Sequence, residues 1–270
     1  MSFARLRDEL RGTSGSFSPF FVLGDPTPEL SVELAVAAVE SGARMLELGL
    51  PFSDPIADGP EIAAAGERAM RSGTTIARAL ECAREIARRT DVPLNMLVYA
   101  NLAHAPGFAD FTRRVVDAGG SSLLCPDVSL EESEPLRSAC EDSELGFVQL
   151  VGPATSDERL RRIDESATAF LYFVSHQGIT GASSEHTGLS ERVRRVTSRA
   201  EKPVCVGFGL SEPEHLATAF DAGARIAIVG SALARRIRTA VDAGASSSSL
   251  LTEIRTACTK LAAHSAPSSC

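Results

Sequence analysis

Glu47 is the first residue that demands a chemical explanation. It interrupts an otherwise apolar run, Met45-Leu46-Glu47-Leu48-Gly49-Leu50. Side chains alternate along an extended strand, so Met45, Glu47 and Gly49 share one face and the three leucines the other. The leucines suit packing under helices, which leaves Glu47 facing the space the strands enclose. Desolvation there raises a carboxyl pKa and fits the group for proton transfer. A loop over 51–60 follows directly, with three prolines and the acidic residues Asp54 and Asp58. Prolines stiffen such a loop, and either aspartate could be held against Glu47 as a second proton-transfer group.

A second constellation suits an anion. Val206-Gly207-Phe208-Gly209 and Val229-Gly230-Ser231-Ala232 each close an apolar segment, and the second opens a helix. Glycines let a backbone approach a phosphate closely, and the free N–H groups of a helix start attract it. Gly178-Ile179-Thr180-Gly181 offers further N–H groups. Tyr99 and Tyr172 are the two tyrosines of a chain without tryptophan. With Phe20 and Phe208 they could line a pocket for a flat ring.

Other chemistries are disfavoured. All but two of the 27 Lys and Arg residues are arginine. Lys202 precedes its strand and Lys260 lies in the last helix, so neither is a Schiff-base lysine at a strand end. The histidines form no cluster at metal-ligand spacing, and no two of the six cysteines form a C-x-x-C pair. No metal and no cofactor are therefore expected. The net charge of −8 argues against nucleic acid. No apolar run reaches the roughly 20 residues a membrane-spanning helix needs. A charged start without an apolar signal core, and cysteines that read as reduced thiols, lead to the expectation of a cytoplasmic protein. Carboxylate acid–base chemistry remains, on a phosphorylated substrate with an apolar part.

These groups need a scaffold to bring them together. Strands are expected at 19–23, 44–50, 93–99, 121–125, 146–151, 169–174, 203–206 and 226–229. Helical spacing separates them, including a single helix over 130–141. Gly42, Gly119 and Gly223 each end a helix just before a strand, a repeated βα device. Eight such units in 270 residues without a long linker favour one closed (β/α)8 TIM barrel with additional terminal helices. Residues 1–264 form that single domain in this reading. The stretch 242–249 reads as a flexible linker before a last helix at 250–263, and 265–270 as a frayed tail. In such a barrel function sits at the C-terminal ends of the strands, where Glu47, the 51–60 loop and the glycine pairs all fall.

The segment Leu46-Glu47-Leu48-Gly49-Leu50-Pro51-Phe52-Ser53-Asp54-Pro55-Ile56-Ala57-Asp58-Gly59-Pro60 resembles the signature of the tryptophan synthase α subunit. The likeness continues, in family order and over roughly 3–261, through Leu23-Gly24-Asp25-Pro26, Tyr99-Ala100-Asn101-Leu102, Pro126-Asp127, Gly178-Ile179-Thr180-Gly181, Gly207-Phe208-Gly209 and Gly230-Ser231. It implies retro-aldol cleavage of indole-3-glycerol phosphate to indole and glyceraldehyde 3-phosphate. Glu47 would then be the acid and base at ring C3 and the side-chain hydroxyl, and Asp58 the acceptor of the indole N–H. Phe20, Leu97, Tyr99, Leu124, Leu150, Tyr172 and Phe208 would line the ring pocket. Thr180 would lie on a closing loop, and Gly181, Gly209, Gly230 and Ser231 would hold the phosphate. The resemblance also implies a pyridoxal-phosphate-dependent β subunit in an αββα complex, faced by the loops of Asp54 and Asp127. The chain departs from the family pattern at Ser129, where a proline is expected, at His176, where an arginine is frequent, and at Gly152-Pro153. A stand-alone lyase releasing free indole, and a non-catalytic activator of a β subunit, are the alternatives.

Overall fold

The computed structural model describes residues 2–12, 15–174, 188–207 and 209–263. Eight strands form a closed parallel barrel: β1 Ser16–Val22, β2 Leu46–Gly49, β3 Leu94–Leu97, β4 Ser122–Leu124, β5 Gly146–Val151, β6 Leu171–Val174, β7 Val204–Gly207 and β8 Ile226–Val229. Each pairs with the next, and β8 closes on β1 with Ser18 opposite Ile228. Around it stand α1 Ser2–Gly12, α2 Pro28–Glu40, α3 Pro60–Arg71, α4 Ile76–Arg89, α5 Ala100–His104, α6 Phe108–Asp117, α7 Glu134–Asp142, α8 Asp157–Ser166, α9 Leu189–Thr197, α10 Pro213–Asp221, α11 Ser231–Asp242 and α12 Ser247–Ala262. This is the expected (β/α)8 architecture. No helix among the described residues is long and apolar enough to cross a membrane.

Local chemistry sets the helix starts. Thr27 caps α2 by accepting from the Leu30 N–H, with Pro28 in the first turn, where its missing N–H costs nothing. Thr75 and Ser156 cap α4 and α8 in the same way. Period-two alternation in the strands then divides the core into two parts. Leu46, Leu48 and Leu50 pack between barrel and helices. Met45, Phe20, Leu97, Tyr172 and Ile228 fill the interior. Leu6 and Leu10 of α1 join that interior cluster with Met45 and Ile226, residues at strand starts, so α1 plugs the end opposite the strand C-termini.

Several boundaries differ from expectation. The N-terminal stretch, read only as charged, is helix α1; Leu6 and Leu10 supply its buried stripe. Strand β1 begins at Ser16 rather than 19, because Ser16 and Ser18 are polar residues buried in the barrel and break the apolar run. The expected helix 130–141 is a 3-10 turn, Leu130–Glu132, followed by α7. Pro135 in the first turn of α7 cannot donate back to a preceding turn, so the helix restarts there. The serine run read as part of a linker instead begins α12: Ser246 accepts from the Ser249 N–H, and 247–249 are helical.

Candidate active site

The C-terminal ends of the strands border a half-open cleft of about 430 Å³, counting the space open to solvent at its mouth. Among the described residues it is lined by Phe20, Glu47, Asp58, Gly59, Ile62, Leu97, Tyr172, Gly209, Ile228, Gly230 and Ser231. Glu47 lies at its base, 1 % exposed. Its Oε1 accepts from the Asn95 amide at 2.8 Å and its Oε2 from the Tyr172 hydroxyl at 3.3 Å. Burial pushes the Glu47 carboxyl up to about 8; the two hydrogen bonds pull it back, and the charge of Asp58 raises it further. At neutral pH Glu47 therefore holds a proton and can donate it.

Asp58 is carried by the 51–59 loop, just ahead of α3. The loop is pinned by Tyr99, which stacks on Phe52 with ring centroids 5.1 Å apart. The Tyr99 hydroxyl accepts from the Ala57 N–H at 3.2 Å, next to Asp58, whose carboxyl it favours in the ionised form. Burial raises the Asp58 carboxyl to about 6, against the pull of Tyr99. It is mostly ionised at neutral pH, so the cleft presents one acid and one carboxylate. Asp54, the other candidate in this loop, is exposed and takes the Ser53 hydroxyl at 2.6 Å. It does not line the cleft.

Apolar walls and a glycine-rich edge complete the cleft. Of the expected ring-pocket residues the structure places Phe20, Leu97 and Tyr172 at the cleft, and Ile62 and Ile228 add to its wall. Both isoleucines were missed, because apolar residues of a helix and a strand look like ordinary core in sequence. Tyr99, Leu124 and Leu150, also expected in the pocket, belong to the interior cluster and not to the cleft wall. Gly209, at φ 81°, and Gly230 and Ser231, at the start of α11, stand together at the rim. No Lys or Arg lines the cleft among the described residues, so an anion there would meet backbone N–H groups and the positive end of the α11 dipole. Thr180, Gly181 and Phe208, and with them His176, lie outside the described residues. Asp127 is exposed; its Oδ1 accepts from the Ala100 N–H at 2.9 Å and ties the β4 loop to the start of α5.

Gly207 makes room for Tyr172. A Cβ at position 207 would collide with the tyrosine hydroxyl and ring. Gly207→Ala should therefore cost about 1–3 kcal/mol of stability and push Tyr172 off Glu47. Urea denaturation checks this; an unchanged midpoint would show that the ring has another place to go.

A closed parallel barrel with a cleft at its strand C-termini, lined by Glu47, Asp58, apolar side chains and Gly209, Gly230 and Ser231, is a (β/α)8 barrel with a candidate active site. The comparisons with known proteins narrow this. The family model "Tryptophan synthase alpha chain" matches residues 3–265. The tryptophan synthase alpha chain of Methanothermobacter thermautotrophicus is 40% identical over 234 residues, 86% of each chain. That of Photobacterium profundum is 41% identical over 225 residues, 83% of this chain and 84% of its own. Among solved structures, a chain of the tryptophan synthase α2β2 complex of Pyrococcus furiosus superposes with a TM-score of 0.85 at 30% identity, covering 92% of this chain and 98% of that one. The alpha subunit of Legionella pneumophila gives 0.85 at 30%, covering 96% and 97%. The chain belongs to the tryptophan synthase alpha chain family, the lyases of tryptophan biosynthesis.

Proposed function

We propose that the cleft cleaves indole-3-glycerol phosphate, with Glu47 as acid and base and Asp58 as the group that stabilises the cationic ring. The observation that supports this reading is that two carboxyls, buried Glu47 and half-buried Asp58, line one cleft with apolar side chains, where desolvation pushes the first up to about 8 and the second to about 6. The indole ring would lie between Phe20, Leu97, Tyr172 and the two isoleucines, with the phosphate at Gly209, Gly230 and Ser231.

Protonated Glu47 gives its proton to ring C3, which makes the ring nitrogen cationic. Asp58 accepts the N–H hydrogen bond and opposes that charge in a site of low dielectric. Glu47, now a carboxylate, takes the proton of the side-chain hydroxyl. The C3–carbon bond breaks, its electron pair restores the aromatic ring, and the hydroxyl carbon becomes the aldehyde of glyceraldehyde 3-phosphate. Glu47 ends as it began, protonated, so no external acid or base is consumed.

This division of labour has a pH signature. Activity needs Asp58 ionised, so kcat/KM should rise as pH climbs through about 6. It also needs Glu47 protonated, so kcat/KM should fall as pH passes about 8. The free enzyme should give a bell between those limbs. A profile flat from pH 5 to 9.5 would contradict the assignment.

We infer further that the chain works in the cytoplasm with a β subunit. Asp54 and Ile56, the latter 82 % exposed, stand on the loop that carries Asp58. A partner docking there would press on the catalytic carboxylate through a short, proline-stiffened connection. The decisive assay is release of indole from indole-3-glycerol phosphate, with and without the β subunit. Stimulation of at least tenfold, about 1.4 kcal/mol in the barrier, supports the paired reading. Fast turnover of the isolated chain that ignores the partner favours the stand-alone lyase, and no indole in either condition refutes the substrate.

A further inference from the structure

The barrel register lines up one row of polar side chains across three neighbouring strands. Glu47 of β2 lies opposite Asn95 of β3, and Asn95 lies opposite Ser122 of β4. All three are buried, Asn95 and Ser122 completely. The Ser122 hydroxyl donates to Asn95 Oδ1 at 2.7 Å, and the Asn95 amide donates to Glu47 Oε1 at 2.8 Å. On the other flank of Glu47, β1 presents Phe20, which has no hydrogen bond to give.

A carboxamide can turn either its oxygen or its nitrogen toward a neighbour. Here the Ser122 proton satisfies the oxygen, which leaves the N–H for Glu47. Buried polar groups that form such a row are held in place, because each would lose its partner on rotating. We propose that Asn95, oriented by Ser122, is a positioning residue for Glu47: it aims the carboxyl into the cleft and stabilises the carboxylate left behind when the proton moves to substrate. The inference rests on the reading of Glu47 as the acid and base.

Among the described residues, the other groups facing Glu47 contribute less or act against it. Tyr172, from β6, donates to the opposite oxygen over the longer distance of 3.3 Å. Asp58 acts in the reverse sense, because its negative charge disfavours the Glu47 carboxylate. Cys205, from β7, is buried, and burial holds its thiol neutral, with no charge to offer. Asn95 is thus the closest donor to a group that must alternate between acid and carboxylate within one turnover.

Three substitutions test the row: Asn95→Leu removes the donor at similar volume, Ser122→Ala frees the amide, and Ser122→Thr keeps the hydroxyl. The readouts are the pH profile of kcat/KM, the separate kcat and KM, and the infrared carboxyl band of Glu47 followed against pH and assigned with Glu47→Gln. Loss of a donor to the charged form raises a carboxyl pKa. Asn95→Leu should therefore move the Glu47 titration and the alkaline limb up by about one pH unit, and lower kcat about tenfold with KM within about threefold. Ser122→Ala should move both the same way by less, and Ser122→Thr should restore them. A merely structural role would lower kcat without moving the limb.

A folded Asn95→Leu protein whose Glu47 band does not move overturns the proposal, whatever its activity. If that variant does not fold, the serine pair decides, and identical titrations of Ser122→Ala and Ser122→Thr overturn it. A band that shifts in a protein whose Glu47→Gln variant stays active leaves the positioning role standing and removes the acid–base reading instead.

Discussion

Glu47→Gln should cut kcat by about two orders of magnitude or more while leaving the barrel folded. Glutamine has nearly the same shape, and its oxygen can still accept from Asn95. It has no proton to give to C3 and cannot take one from the hydroxyl, so both proton transfers fail together. Substrate contacts at the phosphate cradle and ring walls are untouched, so KM should change little. Stability supplies an independent check. Burial holds Glu47 protonated up to about 8, whereas an unfolded chain releases that proton near 4.5. Between those values the unfolded state carries fewer protons than the folded one, so this residue costs the native protein stability as pH rises. Glutamine removes that cost. Relative to the parent, the variant should gain stability from pH 4.5 upward and level off above 8. Thermal melts at pH 5 and pH 9 read the difference. Activity within fivefold of the parent in a folded variant would take Glu47 out of the reaction.

What could be read from sequence was what depends on one segment at a time. Glu47 was legible because alternation in its own strand placed it on the face away from the leucines. The barrel was legible because eight strands each led into a helix. Asn95 was not, since a single asparagine in an apolar strand looks the same whether it meets a serine, a carboxylate or nothing. Its meaning comes from the β2–β3–β4 register, which sets neighbours rather than faces. Ile62 and Ile228 were hidden for a related reason: periodicity shows that a residue is inside, not that it borders a cleft. Residue types and spacing in the 51–60 loop offered two aspartates alike, and only the family resemblance favoured Asp58. In the structure Asp58 lines the cleft while Asp54 stays in solvent. Polar residues in the barrel interior also blurred a boundary, as Ser16 and Ser18 did for β1.

Asp58→Asn should be comparably damaging, by about two orders of magnitude or more, for a different reason. Asparagine can still accept the indole N–H, and the Ala57–Tyr99 hydrogen bond and Phe52–Tyr99 stacking that pin the loop are untouched, so the loop and the bound ring should keep their positions. What disappears is the negative charge beside a ring that becomes cationic when C3 is protonated. That charge acts from a half-buried position on an apolar wall, where electrostatic stabilisation is stronger than in water. The loss should therefore appear in kcat with little change in KM. A second consequence separates this account from simple misplacement. The Asp58 charge is one of the causes holding the Glu47 proton in place. Without it Glu47 should ionise more readily, and the alkaline limb of the residual activity should move to lower pH, opposite to the shift expected for Asn95→Leu. Asp54→Asn provides the control: it is exposed and outside the cleft, so the isolated chain should lose less than about twofold. A folded Asp58→Asn protein within fivefold of parental activity would exclude Asp58 as the counter-charge. A large loss with an unmoved alkaline limb would place its effect in loop geometry instead.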